Sequence, residues 1–161
     1  MGGRRPMHHW LLKSEPETFS IHDLARAPRR TTVWDGVRNF QARNFLRAMA
    51  KGDRCLFYHS NAAPAAVVGV VEVMGPARGD ATALDPRSPY HDPRATADDP
   101  IWSVVDVRLV EIFGRAIPLD ELRRSKALAG MELLRRGSRL SVQPVTAAQF
   151  RHVEALARRK P

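Results

Sequence analysis

The residues best placed to do chemistry fall in three polar segments, Lys13 to Pro16, Trp34 to Asn39 and His59 to Asn61, each at the end or edge of an apolar stretch. A folded sheet can gather such ends around a concavity, where loop side chains are free to meet a ligand. Trp34 is the most informative, because Thr, Asp, Gly and Arg surround it and packing alone explains such a tryptophan less readily than one inside an apolar strand. Its indole could stack on a planar heterocycle, or it could fold back onto the core. Asp35, Arg38 and Arg43 could brace the loop by satisfying backbone groups.

Other chemistries find little support. His8, His9, His22, His59, His91 and His152 have no zinc-site spacing, and Cys55 is the only cysteine, so neither a metal centre nor an intrachain disulfide is expected. Phosphate-binding loops, dinucleotide fingerprints and nucleophile elbows are absent from the sequence. Ser60 beside His59 does not make a nucleophile and base, since neighbours on a strand point to opposite faces. No cofactor is expected.

The elements that must position these residues follow from periodicity. Trp10 to Leu12 reads as a strand stopped by Lys13 to Pro16, and Ser20 with Asp23 caps a short helix. Ala42, Phe45, Leu46 and Met49 recur at the spacing of one buried helical face, with Gly52 as the stop. Cys55 to Tyr58 and Ala66 to Val73 read as neighbouring strands, and Trp102 to Phe113 as a long one. Gly75 to Pro100 holds five of the twelve prolines and reads as a long loop with no core of its own. Leu119 to Arg124 and Leu128 to Arg136 suggest two short helices, Leu140 to Val145 a last strand, and Thr146 with Gln149 the capping box of a final helix. The sum is an α+β domain with a curved or barrel-like sheet.

At 161 residues the chain fits a single domain over 7–158, with a leader at 1–6 and a basic tail at 159–161. The net charge of +9 points to an anionic partner, although five of those charges sit at the two ends. No segment approaches a membrane span, and a cytoplasmic monomer is expected.

The segments Trp10 to Pro16, Trp34 to Asn44, Phe57 to Ser60 and Arg139 to Val145, with Gly52-Asp53, Tyr90 to Pro93 and Trp102 to Val107, closely resemble the EVE family. That resemblance implies a PUA-like fold related to YTH domains: a curved mixed sheet or open barrel surrounded by short helices. It also implies a non-catalytic reader that captures a flipped, modified base of DNA or RNA between aromatic walls. Transferred by position, Lys13, Ser14, Trp34, Asn39, His59, Ser60, Tyr90, Ser141 and Gln143 would form the base pocket, and Arg38, Arg43 and Arg139 its phosphate rim. The alternatives are a generic RNA-binding accessory and a nucleotide-processing enzyme using Asp35, Asp92 or His59. Met74 to Asp80 and His91 depart from the family pattern, and both touch the long loop that could close the pocket.

Overall fold

A computed structural model describes residues 6–159, so the expected leader and basic tail lie, apart from Pro6 and Arg159, outside the described residues. In chain order the elements are β1 (His9–Ser14), α1 (Ile21–Arg26), β2 (Thr31–Trp34), α2 (Phe40–Ala48), β3 (Arg54–His59) and β4 (Ala66–Val73). They continue with β5 (Arg78–Gly79), β6 (Ser103–Pro118), α3 (Leu119–Arg124), β7 (Val142–Val145) and α4 (Ala147–Ala157). The strands form one open mixed sheet in the order β2-β6-β4-β3-β1-β7, with β5 added to β6. Only β1 and β3 run parallel; every other pairing among the described residues is antiparallel.

The period of two along the strands divides the core in two. Trp10 and Leu12 of β1, Cys55 and Phe57 of β3, and Val71 and Val73 of β4 face one side, where Ile21 and Leu24 of α1 and Ala42 and Leu46 of α2 cover them. Leu11, Leu56, Tyr58, Val67 and Val70 face the other side, against Leu122 of α3 and Phe150, Val153 and Leu156 of α4. Local chemistry starts the helices as expected, although α2 ends at Ala48, capped by Met49, short of the expected stop at Gly52. Ser20 with Asp23 and Thr146 with Gln149 form reciprocal capping boxes, and Asn39 caps α2 by accepting from the Ala42 amide.

Four expectations need correction. The first strand continues through Lys13 and Ser14, because β3 pairs with it as far as Ser14 opposite His59. Trp34 closes a short edge strand on β6 and is not a loop residue. Leu128 to Arg136 is no α-helix but two single turns of 3-10 helix, Lys126–Leu128 and Glu132–Leu134, with Gly130 between them. The long segment 75–100 carries β5 and a 3-10 turn at Ala81–Leu84, and it buries Asp80, Ala83 and Asp92. Among the described residues no helix is long and apolar enough to cross a membrane.

One buried carboxylate ties the start of the chain to the α2–β3 turn. Asp53 accepts from the Trp10 indole N–H at 3.0 Å, the His8 amide at 3.2 Å and the Ala50 amide at 3.1 Å. Asp53→Ala should lower unfolding free energy by about 2–4 kcal/mol in urea titrations, since it strands buried donors. A loss below about 1 kcal/mol would show that water replaces the carboxylate at little cost.

Candidate functional site

A recess of about 630 Å³ opens on the α1 and α2 side of the sheet. Its walls come from the end of β1, from β2, from the Asp35 to Asn39 loop, from Phe19, and from Tyr90 and Ser141. In the sheet β1 and β2 are separated by β3, β4 and β6, so the sheet curls until its distant strands border one hollow. The volume lies within the range that takes a small planar ligand.

Of the residues expected in the base pocket, the structure brings Lys13, Ser14, Trp34, Asn39, Tyr90 and Ser141 together around the recess, with Arg38 beside them. His59, Ser60 and Gln143 are not in its lining. The His59 Nε2 accepts from the Ile21 amide at 3.1 Å, and burial, followed by the nearby His22, lowers its pKa. Gln143 is completely buried and donates to the Leu140 carbonyl at 2.9 Å. Ser60 follows the last β3 residue and donates its amide to the Ser14 carbonyl. His59 Nε2 is thus spent on α1, whereas Gln143 Oε1 is buried without a partner among the described residues and Ser60 uses only its backbone amide to hold β1.

Trp34 is less open than its polar surroundings suggest. The indole is 8% exposed, and it meets the rings of Phe19 and Phe57 edge to face at 6.5 Å and 5.5 Å. Alternation along β2 accounts for this: Val33 faces solvent and Trp34 turns to the opposite side, into the core with Phe57, Val105 and Val107. Its N–H is nevertheless distinctive. The Trp10 and Trp102 indoles donate to Asp53 and Asp92, whereas that of Trp34 makes no hydrogen bond among the described residues and is not sealed from solvent. A wall with a free donor borders the recess.

Two charged groups join it. Among the described residues Lys13 makes no ion pair or side-chain hydrogen bond, and partial burial lowers its pKa, against the weaker pull of Glu132. The Asp35 carboxylate receives no hydrogen bond from any other described residue. Desolvation raises its pKa, with the neighbouring Asp80 carboxylate adding to the effect. Among the described residues the hollow thus presents two donors without a partner and one carboxylate that bonds only its own backbone amide.

The loops around it are held by a buried clasp. Asp80, 1% exposed, accepts from the Gly36 amide, from Arg38 Nη1 at 3.0 Å and from the Thr82 hydroxyl at 2.6 Å. Arg38 also donates to the Tyr90 carbonyl at 3.0 Å and 2.6 Å and to the Val37 carbonyl. Its donors are spent on the loop, which is the bracing role and leaves little for a phosphate. Gly36 has φ +77°, and a Cβ there would come within 2.7 Å of the Tyr90 ring, so glycine is required for that ring to lie over the backbone.

A second hollow of about 230 Å³ adjoins the first at Asn39 and is lined by Arg135, Arg136 and Arg139. Arg136 and Arg139 have no hydrogen bond or ion pair among the described residues, while Arg135 lies 3.6 Å from Glu132. Arg43 is in neither hollow, because it donates to the Ile101 carbonyl and to Asn44. Nothing in the sequence singles out Asp80 or Phe19. Asp80 looks like any acidic loop residue until Arg38 is seen to reach it across 42 positions.

The EVE domain family matches residues 8–156. Mouse thymocyte nuclear protein 1 is 43% identical over 99% of this chain and 78% of the mouse protein, and the human protein is 44% identical over 95% and 75%. Among solved structures, human THYN1 protein in complex with 5-methylcytosine containing DNA has a TM-score of 0.90 at 42% identity, covering 96% of this chain and 99% of that one. A protein from Pseudomonas putida has a TM-score of 0.89 at 48% identity over 92% and 99%. An ASCH protein mutant from Zymomonas mobilis, at 12% identity and a TM-score of 0.53, shares the fold alone.

Asp80 gives the site a pH signature. Desolvation pushes its pKa up, but hydrogen bonds from Thr82, Gly36 and Arg38 together outweigh it and the net shift is downward. A carboxylate with a depressed folded pKa stabilises fully above its unfolded value, about 3.9, and that contribution disappears as pH falls through the folded value. Asp80→Asn should therefore cost most near neutral pH, and its deficit in urea titrations should shrink as pH drops below about 4. A deficit that stays constant with pH would mean the clasp is not electrostatic.

Proposed function

The chain belongs to the EVE domain family, and from that premise we propose that it is a non-catalytic reader, a single domain over 7–158 that takes a flipped, modified base of DNA into the recess. The observation that carries the reading is the set of unspent polar groups around Trp34, in a fold matched by a human relative described with 5-methylcytosine containing DNA. A cytosine offers an amino donor and two edge acceptors. Asp35 suits the amino group, while Lys13 and the Trp34 N–H suit the acceptors. Val37, Phe19 and Val33 are among the apolar side chains available to a 5-methyl group.

The energetics fit a reader. Extruding a base costs a few kcal/mol and stacking on an aromatic contributes about 1–3 kcal/mol, so stacking alone roughly breaks even. Hydrogen bonds to the base edge and unpaired arginines at the phosphates must supply the surplus. Arg136 and Arg139, in the adjoining hollow, are cations that remain free for that work among the described residues. Of the three acid and base candidates of an enzyme, two are engaged elsewhere in the fold, and Asp35, which borders the recess, is assigned to the base edge. His59 accepts from a backbone amide, and Asp92, held well below the usual carboxylate range by Arg94 and then by the Trp102 N–H, anchors the long loop. The compartment belongs to this proposal as well: cytoplasmic, although the mouse and human relatives carry a nuclear name. A second reading, generic RNA binding, is favoured only by the charge of +9.

Fluorescence anisotropy with otherwise identical oligonucleotides, cytosine against 5-methylcytosine and at two salt concentrations, tests the reading. One buried methyl is worth about 0.8 kcal/mol, so the wild type should prefer the modified strand about 4-fold. Trp34→Phe keeps a ring in the core but removes the N–H, and it should weaken the modified strand about 2- to 10-fold. Equal affinity for all strands, with a steep salt slope that survives Trp34→Phe, would replace the reader by generic binding. Conversion of the base on long incubation would make it an enzyme.

A further inference from the structure

Phe40 is the first residue of α2, and its side chain contributes nothing to the helix's buried face, which consists of Ala42 and Leu46. It is 50% exposed, a large ring open to solvent immediately after Asn39, the residue that lines both the recess and the arginine hollow. Its ring is not loose. It stacks on Trp102 at 4.7 Å with 22° between the planes, and Trp102 is itself 3% exposed and fixed by its N–H to Asp92 at 2.8 Å. The Arg43 guanidinium lies 4.8 Å from the Phe40 ring and 5.9 Å from Trp102, and is held by the Ile101 carbonyl. Those distances place ring, ring and guanidinium in a tight triangle rather than a sandwich, so Arg43 does not cover the side of Phe40 opposite Trp102.

We infer that the open face of Phe40 is a second stacking platform, which takes the base next to the captured one on the same strand. The inference rests on the base-reader reading and extends it from one nucleotide to its neighbour. Stacking on an aromatic is available to every base, so the platform adds affinity without adding sequence preference. An intercalating wedge would need both faces of the ring between bases, and Trp102 occupies one of them. Phe40 therefore continues a stack, Trp102 to Phe40 to base, and does not wedge adjacent base pairs apart. Its place beside Asn39 puts it on the course of a strand whose one base enters the recess while a phosphate meets Arg139.

The test uses the full chain and single-stranded oligonucleotides carrying one 5-methylcytosine, flanked either by ordinary bases or by an abasic site on each side. Phe40→Ala should weaken the ordinary strand about 5- to 100-fold and leave the abasic-flanked strand unchanged, while Phe40→Tyr restores binding. Thermal melts and circular dichroism confirm that Phe40→Ala is folded. Equal binding of Phe40→Ala and wild type to the ordinary strand overturns the platform. So does an equal loss on both strands, which would mark a structural role. A wild type that does not distinguish 5-methylcytosine from cytosine in the same titrations defeats the underlying reading instead, whatever Phe40→Ala does.

Discussion

Asp80 is 1% exposed and sits where the Asp35 to Asn39 loop meets the long segment after β4. Loop and segment are distant in the chain, with Gly36 and Asp80 separated by 44 positions, yet one carboxylate accepts from Gly36, Arg38 and Thr82. A buried charge of this kind costs desolvation energy that only several well-placed donors can offset. Arg38 carries the constraint onward to the Tyr90 carbonyl, and Gly36 leaves room for the Tyr90 ring. Without the clasp, one wall of the recess would be two independent loops, and a ligand would have to order them as it bound. The clasp meets that ordering cost during folding.

The three tryptophans show how one residue type is put to different uses. Trp10 and Trp102 each donate to a buried carboxylate, Asp53 and Asp92, and so hold the chain's start and the entry to β6. Trp34 packs its ring against Phe57 and Phe19 but keeps its N–H unspent beside the recess. A group that needs no partner in the free protein is available to one in the complex. The same holds for Lys13, and the Asp35 carboxylate bonds only its own backbone amide. By contrast, His59, Gln143 and Arg38 have polar atoms engaged within the fold, and Arg43 is spent on Ile101 and Asn44.

Much of the framework was legible in the sequence, because periodicity and caps are local. Ala66 to Val73 is a strand over its expected bounds, and both capping boxes form as read. Leu128 to Arg136 misled because its apolar spacing fits a helix, whereas the chain there folds into single 3-10 turns. The proline-rich loop misled because its anchors, Asp80 and Asp92, satisfy partners that local composition does not reveal. The family resemblance implied nine pocket residues; six of them line the recess, while His59, Ser60 and Gln143 do not. Strand ends that converge in sequence pattern need not point the same way, and only the register decides which side chains turn inward. Phe40 lies inside a motif but carried no signal, since exposure is a property of the folded surface.

Indole N–H resonances give a direct view of the central claim, that the recess receives the base. Each of the three tryptophans contributes one such proton, and those of Trp10 and Trp102 are already bonded to carboxylates. On titration with a strand containing 5-methylcytosine, the Trp34 signal should shift and slow its exchange with water, while those of Trp10 and Trp102 move far less. A Trp34 resonance that stays in place and keeps its exchange rate at saturating ligand would put the base somewhere other than this recess.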